Sequence, residues 1–158
     1  MTRPVRRTAT LALTLLLLGG VACGGDDDDA GSERLSKAEF IKQGDGICAE
    51  LNQESEKVNP EGENLAALAA FLDQIIPLIE NASADFSALN PPKDASGVKT
   101  SMIKSLDAGV DASRDAKQAA EKNDETAVTE ALKDIESAGE DIKDSTGKYG
   151  FKVCSQSS

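Results

Sequence analysis

The stretch LAALAAFLDQIIPLIENASADFSAL, residues 65–89, carries the strongest periodic signal in the sequence and decides the fold. Its apolar positions recur at steps of three and four: Leu65, Leu68, Leu72, Ile75, Ile79, Ala82, Phe86 and Leu89. This spacing places them on one face of an α-helix. Phe71, Ile76 and Leu78 widen that face, so we predict that this helix is the most buried one. Pro77 is expected to kink it, because an internal proline removes a backbone hydrogen bond.

The helix before it begins at a recognisable cap. Ser36 and Glu39 fit a capping box, in which each side chain accepts a hydrogen bond from the other residue's backbone N–H. The apolar and small residues that follow define one face: Phe40, Gly44, Ile47, Cys48, Leu51, Ser55 and Val58. Glycine within a helix costs about 1 kcal/mol relative to alanine. We therefore expect close packing of a neighbour, or a local bend, near Gly44 and Gly46.

Two weaker amphipathic helices follow the central one. Asn123 or Asp124 is expected to cap the last helix, and Gly147 or Gly150 to end it. Small residues on the third and fourth helices predict a thinner core between them. Four amphipathic helices joined by short breaks indicate an all-α fold, an antiparallel four-helix bundle.

The N-terminal residues 1–22 have the features of an export signal. Three arginines and no acidic residue precede an apolar run of about a dozen residues, which is too short to span a membrane that needs roughly 20. Its removal would take away three of the 17 basic residues and none of the 28 acidic ones, which leaves a net charge of −14.

The residues around Cys23 resemble a bacterial lipobox. Val21 and Ala22 precede the cysteine as that motif requires, whereas Gly20 stands where Leu, Val or Ile is usual. The resemblance implies that the Cys23 sulfur carries a lipid and that Cys23 becomes the first mature residue. The alternative is a secreted protein with an unmodified or removed Cys23. Residues 23–34 then form a flexible acidic tether, and residues 35–158 form the helical domain.

The two remaining cysteines predict a disulfide. An exported chain keeps Cys48 and Cys154, and an even pair in an oxidising compartment favours a crosslink. In an up-and-down bundle the C-terminal tail can run back along helix one far enough to reach Cys48. A redox pair is the competing interpretation, but the sequence has no C-x-x-C motif and no histidine to activate a thiol.

Composition excludes several functions. The net charge of −11 and the 3% aromatic content argue against nucleic acid as a partner. The acidity also argues against adsorption to an anionic lipid surface, so we expect membrane contact only through the lipid anchor or a partner. The absence of histidine excludes Ser-His-Asp and Cys-His catalysis. No cofactor is expected.

Three carboxylates recur every four residues on the third helix, at Asp107, Asp111 and Asp115. They are weak candidates for a divalent-cation site, above all if acidic residues of helix four face them. Glu140, Asp141 and Asp144 are those residues. A solvated helix face is the preferred interpretation. Paired carboxylates could also hydrolyse a glycoside, but no feature of the sequence indicates the cleft that this needs.

The chain resembles a group of small lipoproteins exported by high-GC Gram-positive bacteria. The resemblance rests on the lipobox with its Gly/Asp tether, on LSKAEFI (residues 35–41) and ICA (47–49), and on GFKVC (150–154). It implies a helical domain with one disulfide on the outer face of the cell membrane, and it transfers no catalytic residue. We therefore expect a non-enzymatic binding or interaction module, whose protein or small-molecule partner the sequence does not identify. The alternative is a carboxylate-dependent envelope enzyme or cation-binding protein.

Overall fold

The computed structural model describes residues 33–60 and 62–156, and the predicted signal peptide lies outside them. The helices are α1 Lys37–Ser55, α2 Leu65–Ala88, α3 Ser96–Glu121 and α4 Glu125–Tyr149, with a single turn of 3-10 helix, Lys93–Ala95, before α3. No β-strand occurs in this part of the chain. The predicted all-α class with four helices is confirmed.

Local hydrogen bonds and backbone conformation explain where α1 begins and where α4 begins and ends. The capping box of α1 is present, since the Glu39 N–H donates to Ser36 Oγ at 3.3 Å and the Ser36 N–H donates to Glu39 Oε2 at 3.0 Å. The Ser36 hydroxyl also donates to Glu39 Oε2, at 2.6 Å, and this bond together with the one from the Ser36 N–H holds the pKa of Glu39 below its ordinary value. Asp124 caps α4 by accepting the Ala127 N–H at 3.0 Å. Gly150 ends α4 with φ of 113°, a left-handed conformation that suits glycine.

The most buried helix is α3, so the prediction that α2 holds this place is wrong. Ten of the 26 residues of α3 are buried, against six of the 24 residues of α2. Seven of those ten are Gly, Ala or Ser, which lets α3 pack closely against both α2 and α4. The prediction relied on hydropathy, which is higher for α2. Small side chains bury α3 more deeply because they let the neighbouring helices approach.

Helix α2 keeps much of its apolar surface half-buried. It is long and apolar enough to cross a membrane, yet only 22% of its most apolar window is buried within the domain. The helix continues through Pro77, which is exposed. As residue numbers rise along α2, those of its polar partners on α3 fall: Asp73 contacts Lys117, Ser83 contacts Asp107, and Ser87 contacts Lys99.

The core has two contrasting ends. What we call the aromatic end is one cluster in which large side chains surround the cysteine pair: Phe40, Cys48, Ala82, Phe86, Ala95, Met102, Leu106, Phe151 and Cys154. The alanine end consists of two smaller clusters: Leu72, Ala116 and Ala131, and Ala69, Ala119, Ala120 and Val128. Helices α1, α2 and α3 and the C-terminal segment contribute buried residues to the aromatic end, whereas α2, α3 and α4 contribute those of the alanine end.

Candidate functional site

The predicted disulfide joins Cys48 of α1 to Cys154 of the C-terminal segment. Their Cα atoms lie 5.3 Å apart, and both residues are buried. Residues 152–156 form a bend and a turn, closed by the Gln156 N–H donating to the Val153 carbonyl at 2.9 Å. The C-terminal segment is thus fastened across the middle of α1, and no thiol remains free among the described residues.

A second fastening point, Asp45, was not predicted from the sequence. Its Oδ1 accepts hydrogen bonds from the backbone N–H groups of Lys152, Val153 and Cys154 at 3.1, 2.8 and 3.1 Å, and its Oδ2 accepts from Lys152 at 3.0 Å. Consecutive backbone N–H groups form a concavity that favours an anion. Asp45 supplies that anion from within the protein. Its partners lie 107 to 109 residues away, so no local pattern reveals them.

Gly44 explains how α1 can receive the C-terminal segment. A Cβ atom placed on Gly44 would overlap the Phe151 ring and lie 3.0 Å from Cε1 of Phe86. Gly46, by contrast, has open space around it. The predicted close packing is therefore confirmed at Gly44 and absent at Gly46. Phe151 is buried beneath this contact and meets Phe40 edge to face, with 5.5 Å between ring centroids.

Tyr149 closes the aromatic end on the solvent side. Its hydroxyl donates to Asp94 Oδ2 at 3.3 Å, and Lys37 Nζ lies 4.4 Å from its ring centroid. Burial of the phenol, followed by the Asp94 charge and hydrogen bond, raises the pKa of Tyr149. These contacts tie the end of α4 to the start of α1 and the segment before α3. These contacts are structural, since burial and the neighbouring Asp94 carboxylate keep the phenol protonated.

The carboxylates of α3 are engaged separately. Asp107 accepts a hydrogen bond from Ser83 Oγ at 2.7 Å, Asp111 accepts one from Arg114 at 3.1 Å, and Asp115 is exposed. On α4, Asp144 Oδ2 lies 3.6 Å from Lys148 Nζ. In residues 33–60 and 62–156, no group of three or more metal-ligating side chains converges on one point. The structure does not bring the three weak candidates together as a ligand set.

A groove runs between α1 and α2 and has a volume of about 110 Å³. We call it the α1–α2 groove. Its apolar floor is made by Ile47, Leu51, Leu78 and Ala82, and its polar rim by Glu50, Glu54, Asn81 and Asp85. Each helix contributes residues at steps of three, one and three, the spacing of a single helical face. Leu78 had been predicted to widen the core face, and the structure places it in this half-open groove instead.

The grooves between α2 and α3 differ from the α1–α2 groove because they also contain basic side chains. Two of them, of about 440 and 400 Å³, contain Arg114, and the larger also contains Lys117. Arg114 pairs with Glu80, and Lys117 pairs with Asp73, whose hydrogen bond raises the pKa of Lys117. In the larger groove two basic side chains therefore balance two acidic ones. The smaller groove holds Arg114 together with three carboxylates and keeps a net negative charge.

The predicted lipidation residue, Cys23, lies outside the described residues, as does most of the tether. No protein-family model, no curated protein and no solved structure matches this chain. Any statement about function therefore rests on the residues themselves.

Proposed function

We propose that this protein is a lipoprotein anchored through Cys23 to the outer face of the cell membrane, and that its helical domain is a non-enzymatic interaction module of the cell envelope. The observation that carries the proposal is the Cys48–Cys154 disulfide. A buried crosslink of this kind is typical of exported proteins. Because it uses both cysteines of the domain, Cys23 is left for the lipid.

The arrangement of the domain that we propose is an antiparallel four-helix bundle, with the C-terminal segment crosslinked to the first helix. The falling numbers of the α3 partners along α2 support it, as does the short connection between α3 and α4. Such a domain would present its helix faces and grooves outward at the end of an acidic tether. The resemblance to small actinobacterial lipoproteins points to the same location.

The interaction role draws support from the chemistry of the chain. The sequence has no histidine, and Asp107, Asp111 and Asp115 have separate surroundings. The cation-binding alternative makes a different prediction for thermal unfolding. A midpoint that rises with calcium, magnesium or zinc and falls with a chelator would favour the alternative, and an unchanged midpoint would favour the interaction module.

Membrane fractionation of the Cys23→Ser variant tests the anchor. The wild-type protein should remain with membranes in high salt and be released by detergent, because two acyl chains hold a protein stably. Cys23→Ser should yield a soluble product or an unlipidated precursor. Gly25→Ala, two residues away, is the matched control and should fractionate as the wild type does. Unchanged fractionation and mobility of Cys23→Ser would exclude lipidation.

A further inference from the structure

We infer that the α1–α2 groove binds a basic amphipathic segment of a partner protein, which inserts one or two apolar side chains between rim carboxylates. The inference deepens the proposed interaction role and rests on it.

The size of the groove favours a peptide side chain over a small-molecule ligand. Pockets for drug-sized ligands commonly enclose about 300–1,000 Å³. The α1–α2 groove has about 110 Å³, and its floor consists of aliphatic side chains. A groove of this kind suits apolar residues that a helix presents at positions i, i+3 or i+4, as in helix-in-groove recognition.

Half-buried apolar side chains make this face of α2 suitable for a partner. Leu78 is half-buried on α2, and Ile47 and Leu51 are half-buried on the facing side of α1. Helix α1 packs against α2 less closely than α3 does. A partner that covers these side chains would remove apolar surface from water, which favours association.

The charge around the floor determines the kind of partner. Every ionisable residue that lines the groove is acidic: Glu50, Glu54 and Asp85. Of these three, only Glu54 has a basic partner among the described residues: its Oε1 lies 2.6 Å from Lys57 Nζ. Glu50 and Asp85 are exposed and make no ion pair in that part of the chain. A lysine or arginine beside the inserted apolar residue would complement them, which would speed association and give specificity.

The same charges disfavour the other occupants. The tether of this chain carries the run Asp26 to Asp29, which the rim would repel. A second copy would bring another mature chain with a net charge of −14. Fatty acyl chains would place no positive charge against Glu50 or Asp85.

Peptide binding to the full exported chain tests the inference. The protein is held in phosphatidylcholine nanodiscs if it is acylated and is used free in solution if it is not. The probe is a fluorescent helical peptide with one leucine face and one lysine face, followed by anisotropy. We expect saturable binding that weakens with salt. Peptides with glutamate in place of lysine, or serine in place of leucine, should not bind.

Matched variants separate the groove from general acidity. Glu50→Gln with Asp85→Asn should weaken binding roughly fivefold to tenfold, as expected for two exposed charge pairs. Glu130→Gln with Asp134→Asn makes the same charge change on exposed positions of α4 and should weaken binding less than twofold. Equal losses in both variants, or no binding of the lysine peptide, would overturn the inference.

Two further measurements keep the outcomes distinct. A dimer in sedimentation velocity that Glu50→Gln with Asp85→Asn abolishes would assign the groove to a second copy, and would also overturn the inference. Fractionation of Cys23→Ser reports on the anchor independently of the groove. A lipidated protein that fails to bind the lysine peptide would therefore refute the inference and leave the anchor intact.

Discussion

The aromatic end and the alanine end of the core are held together by different means. At the aromatic end, Phe40, Phe86 and Phe151 fill a wide space, and the disulfide and Asp45 fasten the C-terminal segment over it. At the alanine end the core contains small side chains such as those of Ala116 and Ala131, which let the helices pack closely. The first end should therefore be sensitive to truncation and crosslink removal, and the second to enlargement.

Removing the disulfide should have the largest effect. The crosslink joins residues 106 apart, and closing a loop of about 100 residues contributes up to about 4.7 kcal/mol in the chain-entropy model. We expect Cys48→Ala with Cys154→Ala to lower the free energy of unfolding by about 4 kcal/mol in urea denaturation. Reductant should destabilise the wild type and leave the double variant unchanged. A loss below about 1 kcal/mol would mean that Asp45 and Phe151 hold the segment without the crosslink.

Truncating Phe151 should have the next largest effect. Phe151 is 2% exposed and packs against Phe40 and Gly44. Phe→Ala changes in cores cost about 3–5 kcal/mol, and the disulfide still holds the segment in this variant, so Phe151→Ala should cost about 3 kcal/mol. Denaturant unfolding of the oxidised variant measures the loss. Stability within about 1 kcal/mol of wild type would show that the aromatic end tolerates a cavity.

Enlarging Ala116 tests the alanine end in the opposite direction. Ala116 is fully buried beside Leu72 and Ala131, and overpacking of a core costs typically 1–3 kcal/mol. We expect Ala116→Leu to destabilise the protein by about 2 kcal/mol. Ala108→Leu, at an exposed position of the same helix, is the control and should change stability by less than about 0.5 kcal/mol. If the two variants behave alike, close helix approach does not stabilise this end.

Alanine substitutions at Gly44 and Gly46 of α1 compare a tightly packed position of the aromatic end with an open one. Gly44→Ala would force the Phe151 ring to move, and the cost should exceed the gain in helix propensity by about 1 kcal/mol. Gly46→Ala meets no atom within 4 Å and should stabilise the protein by about 0.5–1 kcal/mol. Thermal unfolding of both variants measures the signs. Stabilisation by Gly44→Ala would contradict the close approach of Phe151 to α1.

The smallest effect is expected at the start of α1, outside both ends of the core. Ser36→Ala should cost about 0.5–1 kcal/mol at neutral pH through loss of the cap. The pKa of Glu39 is lowered in the folded protein. The stability that its ionised side chain adds to the cap is therefore complete above the ordinary glutamate pKa of about 4.3, and it is lost as the pH falls through the lower folded pKa. The difference between wild type and Ser36→Ala in urea denaturation should therefore narrow in acid. A constant difference would mean that Glu39 takes no part in the cap.

The features that the sequence predicted are those set by local pattern. Ser36 and Glu39 lie three residues apart, and their capping box forms as expected. The Cys48–Cys154 crosslink also followed, because only two cysteines remain after Cys23. Asp45 could not be predicted, since its hydrogen-bond donors lie more than 100 residues away and are backbone groups that any sequence supplies. The burial of α3 was missed because its small residues give a weak hydropathy signal.

The α1–α2 groove was predicted only in part: the sequence indicated its apolar residues but not that they leave a groove. Ile47 and Leu51 were placed on the apolar face of α1, and Leu78 was placed on that of α2. The distance between two packed helices is set by all the side chains between them, so whether such faces seal or leave a groove is a tertiary property. Acidic residues such as Glu50 and Asp85 gave no local signal in a chain with 28 acidic residues.

The central claim, a disulfide-closed domain on a lipid anchor, is tested most directly by the intact mass of the membrane-extracted protein after alkylation without reductant. We expect a chain that begins at Cys23, carries a diacylglyceryl group and takes up no alkylating reagent, because that group occupies the Cys23 sulfur and Cys48 is joined to Cys154. A chain that begins elsewhere, or one in which any of the three cysteines is alkylated, would contradict it.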